Sequence, residues 1–163
     1  MTKRIIIKLG DVFCISINGQ YNAYFQYIAN DATQLNSSVI RVFKIHYKID
    51  MSPTIDEIVN GEIDFYAHAI LRVGIKQGLW NKIGNSKDLG CIENVGFKML
   101  YDSKDTKWYV WKINEPIIYH RELPKECKDY NWGWVYAGVN IIQKIKDGYY
   151  YVLKEEYTID QRF

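Results

Sequence analysis

The residues with the most chemical potential are three histidines, three cysteines and a surplus of Tyr and Trp, with 14 and 5 copies. His46, His68 and His120 stand far apart. None falls in the HxH or HExxH spacing that brings two imidazoles to one metal ion. Cys14, Cys91 and Cys127 are odd in number and form no CxxC pair, which speaks against a disulfide framework and a zinc site. A nucleophilic Cys14 would need a neighbouring histidine and a lowered pKa. It lies instead inside a predicted strand, where a thiol packs as a small apolar group. His68 is placed on the polar face of a predicted strand, at the surface or half-buried. His120-Arg121-Glu122 joins a base to a charge pair, but no nucleophile motif accompanies it. Gly84, Gly90 and Gly96 recur every six residues without a GxGxxG or P-loop pattern, so they read as turns. The expectation is no catalytic residue, no metal and no cofactor.

The aromatic residues remain. In Trp108-Tyr109-Val110-Trp111 a strand would set Trp108 and Val110 on one face and Tyr109 and Trp111 on the other. Large apolar groups on both faces mean a strand covered twice or a strand that shows a patch. Trp132-Gly133-Trp134 and Tyr149-Tyr150-Tyr151 raise the same choice. Core packing is the plain alternative for each cluster. As partner-binding anchors the expected residues are Tyr109, Trp111, Trp132 and Trp134, because Trp and Tyr dominate protein–protein hot spots.

These side chains need a frame. Asp11 to Ile17 and Tyr21 to Ile28 flank Asn18-Gly19, a strong hairpin signal. A two-residue turn would set Ile17 opposite Gln20 and Cys14 opposite Ala23. Thr33 to Ser38 reads as a loop. Val39 to Tyr47 reads as a third strand, with Arg41 breaking its alternation. Ser52-Pro53 predicts a helix start, with Ser52 as cap, and Gly61 its end. Ile63 to Val73 alternates as a central strand. Gly74 to Gly90 suggests turns around a buried Trp80. Further strands are predicted at Gly96 to Tyr101, Lys107 to Ile113, Pro116 to His120 and Tyr149 to Leu153, with a turn at Asp102 to Asp105. Val135, Val139, Ile142 and Ile145 recur at helical spacing before a capping Gly148. The sum is one α+β domain over 1–163. It has a mostly antiparallel, strongly twisted sheet, or a partly open barrel, with about two helices packed on it.

Bulk properties narrow the partners. The net charge of +2 is too small to drive nucleic-acid binding by itself. No apolar run approaches the length that crosses a membrane. The opening Ile5-Ile6-Ile7 is too short for a signal-peptide core, which points to the cytoplasm.

Two stretches resemble the immunity protein 26 family of bacterial polymorphic-toxin systems. Lys8-Leu9-Gly10-Asp11-Val12-Phe13-Cys14-Ile15-Ser16-Ile17, with Asn18-Gly19 and Tyr21-Asn22-Ala23-Tyr24, is similar to its opening hairpin. Leu79-Trp80-Asn81-Lys82-Ile83-Gly84 is similar to its central W-x-x-I-G element. The resemblance extends over roughly the first two thirds of the chain. It implies a non-enzymatic, antitoxin-like protein whose partner is a cognate protein toxin, and it carries no catalytic residues. Two other readings compete. One is a small β-barrel that binds nucleic acid or acts as a ribonuclease-type toxin, using exposed aromatics to stack bases. The other is a small-molecule-binding domain, which would need a pocket with converging polar groups.

Overall fold

The computed structural model describes residues 4–100 and 107–150. Along the chain run β1 (Asp11–Ile17), β2 (Tyr21–Asp31), β3 (Ser37–Phe43), β4 (Tyr47–Lys48), α1 (Ile55–Val59), β5 (Ile63–Ala69), α2 (Leu71–Lys76) and β6 (Asn81–Asn85). There follow β7 (Gly96–Leu100), β8 (Trp108–Lys112), β9 (Ile118–His120), β10 (Asn131–Trp132), β11 (Val135–Tyr136) and α3 (Gly138–Asp147). The first sheet has the order β11-β5-β3-β2-β1-β6, with β4 added to β2. The second has the order β10-β7-β8-β9. All pairings are antiparallel except β11 on β5 and β10 on β7. The class is α+β as expected, built from twisted open sheets rather than a closed barrel.

The hairpin forms where Asn18-Gly19 predicts it, with both residues at positive φ (53° and 67°). Its register differs by one residue: Ile17 faces Tyr21 and Cys14 faces Tyr24. Gln20 is the extra residue. Its amide donates to the Ile17 carbonyl at 3.1 Å, and its carbonyl accepts from the Ile49 amide at 2.9 Å.

The first sheet is covered on both faces. On one face Phe13, Phe25, Ile40 and Phe65 meet Leu71 of α2 and Ile141 and Ile145 of α3. On the other, Val12, Tyr24 and Phe43 lie under Ile58 and Val59 of α1. Further along that face, Ile28 and Val39 meet Phe97 and Trp111 of the second sheet. Double cover explains why β3 is buried from Val39 through Phe43 instead of alternating. Arg41, which breaks the pattern in sequence, is a paired buried cation. Its Nε donates to Gln26 Oε1 at 2.8 Å and a terminal nitrogen donates to the Asp88 carbonyl at 2.9 Å.

Several element boundaries move. The predicted Val39–Tyr47 strand ends at Phe43, and the chain resumes as β4, paired with β2 at Tyr21 and Asn22. The Ile63–Val73 strand stops at Ala69. Leu71 and Gly74, three residues apart, form the buried side of α2, and a short apolar run does not distinguish strand from helix. Val135 belongs to β11 and not to α3. Gly148 caps α3 at φ 84° with its amide on the Lys144 carbonyl. The predicted turn at 102–105 and most of the Tyr149–Leu153 strand lie outside the described residues.

The cap of α1 is Thr54, two residues after the expected Ser52. Thr54 and Glu57 make a reciprocal capping box: the Glu57 amide donates to Thr54 Oγ1, and the Thr54 amide donates to Glu57 Oε2 at 2.7 Å. The bonds from Thr54, its backbone amide first, hold the Glu57 carboxyl below its ordinary range. Since α1 is the lid of the Val12–Phe43 cluster, Thr54→Ala is expected to lower stability by about 1 kcal/mol. Urea unfolding measures it; an unchanged midpoint would show that the box adds nothing.

Candidate protein interface

The second sheet is fixed to the first by one buried carboxylate. Asp31, at the end of β2, is fully buried. Its Oδ2 accepts from His68 Nε2 at 2.8 Å and from Trp111 Nε1 at 2.9 Å. Its Oδ1 accepts from the amides of Thr33 and Asn114 at 3.1 and 2.9 Å. Burial pushes this carboxyl up, but the bonds from His68, Asn114 and Trp111 outweigh it and hold the group below the usual range. Beside it, Ala32 donates to Asn114 Oδ1 and Thr33 Oγ1 to the Glu115 carbonyl. Strands β2, β5 and β8 thus share one polar clasp inside an apolar seam.

With its inner face docked, the second sheet offers its outer face and one edge. Register places Lys98, Trp108, Val110, Lys112, Ile118, His120 and Trp132 on the outer face, since directly opposed residues point the same way. Trp108 and Trp132 lie 6.0 Å apart, and Lys98 Nζ stands 5.3 Å over the Trp132 ring. Lys98 also donates to the Lys128 carbonyl, and burial lowers its pKa. The strands of this sheet hold Lys98, Lys112 and His120 and no Asp or Glu. The 121–130 connection beside them carries three basic and three acidic residues, and the β8–β9 turn adds one carboxylate, Glu115. At the β9 edge Ile118 and Tyr119 are 59% and 62% exposed. Tyr109 meets Tyr119 edge-on at 4.6 Å. Leu35, at the β2–β3 turn, is exposed with φ 57°, a strained backbone for a leucine. Its neighbour Gln34 bonds Met99 Sδ and the Gly133 carbonyl, which ties the turn to the second sheet.

A different geometry joins the two sequence stretches singled out above. They pair directly as β1 and β6, with Asp11 opposite Asn85 and Val12 opposite Gly84. Gly10 has φ 88°, and a Cβ there would lie 2.2 Å from the Ser86 carbonyl oxygen. Asp11 is fully buried and accepts from the Lys8 amide, Asn85 Nδ2 and Lys82 Nζ. The Gly-Asp pair is therefore a structural joint: glycine admits the close chain and aspartate ties it. The family model of immunity protein 26 matches residues 8–109. This chain belongs to the immunity protein 26 family. The family match runs from the β1–β6 joint to the first residues of β8; β9 and Trp132 follow it in sequence. No curated protein and no solved structure matches this chain.

The four expected anchors of this immunity-family chain separate. Tyr109 and Trp132 are half-buried on the second sheet; Tyr109 shares the face of Trp111 and packs at the margin of the seam cluster, and Trp132 packs in part against the cluster of the first sheet. Trp111 is 3% exposed, and its ring nitrogen is bound to Asp31. The expectation that it stands outside is corrected: its face of β8 is the one that docks on the first sheet. Trp134 is half-buried and packs against the clusters on both faces of the first sheet, so it serves the junction. Sequence reasoning missed Ile118, Tyr119 and Leu35, which carry no motif. His68, expected at or near the surface, is fully buried, because the second sheet covers that face. Among the described residues no group of three or more His, Cys, Asp or Glu is placed to hold a metal ion, and no helix is long and apolar enough to cross a membrane.

Proposed function

We propose that this chain is a non-enzymatic immunity protein that binds and neutralises one cognate bacterial toxin inside the cell that makes it. Family membership carries the reading. The structure supports a surface for it: aromatic residues of the second sheet stand half-buried on a base held rigid by Asp31. Such residues supply contact area with only two side-chain torsions to freeze. A stable complex needs roughly 1,200–2,000 Å² of buried surface, with a few aromatic anchors carrying most of the energy. Tyr109 and Trp132 are the proposed anchors. The toxin is covered or held closed, and no reaction is catalysed.

Growth rescue tests this reading. The chain is co-expressed with the toxin candidate encoded beside it. Wild type is expected to restore growth, and Trp132→Ala and Tyr109→Ala are expected to weaken the complex by about 2 kcal/mol or more while remaining folded. If each variant that loses rescue has also lost its cooperative thermal transition, these residues are structural and the anchors lie elsewhere.

A further inference from the structure

A strand at the margin of a sheet presents unpaired amides and carbonyls, and proteins ordinarily blunt such edges with charges, bulges or very short strands. Among the described residues, three of the four sheet margins are blunted. Strand β6 carries Lys82, and a bulge interrupts its register on β1 between Val12 and Phe13. Strands β10 and β11 have two residues each. Strand β9 differs. It pairs with β8 in unbroken register, Trp108 with His120, Tyr109 with Tyr119 and Val110 with Ile118. It holds no proline, lysine or carboxylate. Ile118 and Tyr119 are successive residues and point to opposite faces, yet both are more than half exposed.

We infer that an extended segment of the partner protein adds to the second sheet as a strand beside β9. This deepens the proposed function and rests on it. The chemistry of the edge selects the occupant. The open row of backbone groups calls for an extended chain, and the alternating side chains of that chain supply specificity. Exposed apolar residues on both faces call for apolar residues on both faces of the incoming segment. Lys112 on β8 and His120 on β9, with no carboxylate on either strand, call for an acidic one; Lys98 stands two strands away, held at the Lys128 carbonyl. Charge also separates this occupant from a second copy of the chain, which would bring the same basic side chains together. The Tyr109–Tyr119 contact holds one apolar contact group in place before binding.

The experiment uses the full chain and the purified toxin candidate encoded beside it. Edge blocks are Ile118→Pro and Tyr119→Pro; Tyr119→Lys and Tyr119→Glu vary the charge, and thermal melting confirms that each variant is folded. Hydrogen exchange is followed for the amides of residues 117–121, free and in the complex. Slowed exchange of these amides is expected on binding. At least one proline variant should bind about 30-fold more weakly, the fold-change of an interface hot spot, and Tyr119→Glu should bind more weakly than Tyr119→Lys. Should the proline variants misfold, the exchange data and the lysine–glutamate comparison still decide. If wild type binds but these amides exchange at the free rate, or if folded edge variants bind as wild type does, strand addition is wrong while the immunity reading stands. A chain that forms a dimer through β9 by itself, or that retains RNA lost with Trp108→Ala, would also overturn the inference. No binding by wild type removes both this inference and the proposal beneath it.

Discussion

Asp31→Asn is expected to destabilise the chain by about 3 kcal/mol or more, because it leaves two buried donors without acceptors at about 1–3 kcal/mol each. The carboxylate accepts four donors, two at each oxygen. An amide has one oxygen, so its NH2 group would face donors and leave buried N–H groups without acceptors. The loss falls on the seam between the sheets, so the second sheet should loosen first. The clasp also predicts an acid response. Asp31 has a folded pKa below its ordinary value, so its stabilisation is complete above the unfolded value of about 4 and is lost as pH falls through the lower folded one. Wild-type stability should therefore drop more steeply than that of Asp31→Asn from about pH 5 downward. Urea midpoints measured across that range decide it. Parallel curves for the two proteins would remove Asp31 from the account. His68, Trp111 and Asp31 share this clasp, so substituting His68 changes stability, whatever it does to partner binding.

Trp80→Ala is expected to cost about 3–5 kcal/mol, typical of a large core aromatic. Trp80 is 3% exposed, as its place in the turn region suggests. Its ring meets Phe25 edge-on at 5.1 Å, and Nε1 donates to the Leu71 carbonyl at 3.1 Å. The fit is close enough that a Cβ on Gly74 would lie 2.0 Å from the ring. Alanine would leave a cavity between α2, α3 and the first sheet and would remove that hydrogen bond. Trp80→Phe should recover part of the packing but not the hydrogen bond. Chemical denaturation followed by circular dichroism measures both, and an unchanged midpoint for Trp80→Ala would place the ring outside the core.

The local code of this chain was legible where backbone chemistry is decided by neighbours. Asn18-Gly19 marks the hairpin, and Gly148 marks the end of α3. Gly10-Asp11 and Trp80 to Gly84 carry the family, and the fold shows why: they pair as β1 and β6. What escaped the sequence depends on contacts distant in the chain. The second sheet lies over the face of β5 that carries His68, which turns an expected surface histidine into a core partner of Asp31. Trp108 and Trp111 stand three residues apart, and only docking of the second sheet decides that Trp111 goes inside. Arg41 reads as a break in alternation until Gln26 and the Asp88 carbonyl are seen around it. The β9 edge carries no motif, because an edge is defined by the strand that is not beside it.

The central claim is that this immunity protein 26 family member binds a specific toxin. Its most direct test is isothermal titration of the purified chain with the purified toxin candidate encoded beside it. Saturable one-to-one binding is expected, weakened at least 30-fold by Trp132→Ala, in a variant that still melts cooperatively. Absence of binding by the folded wild-type chain, with no protection of cells from that toxin, would contradict it.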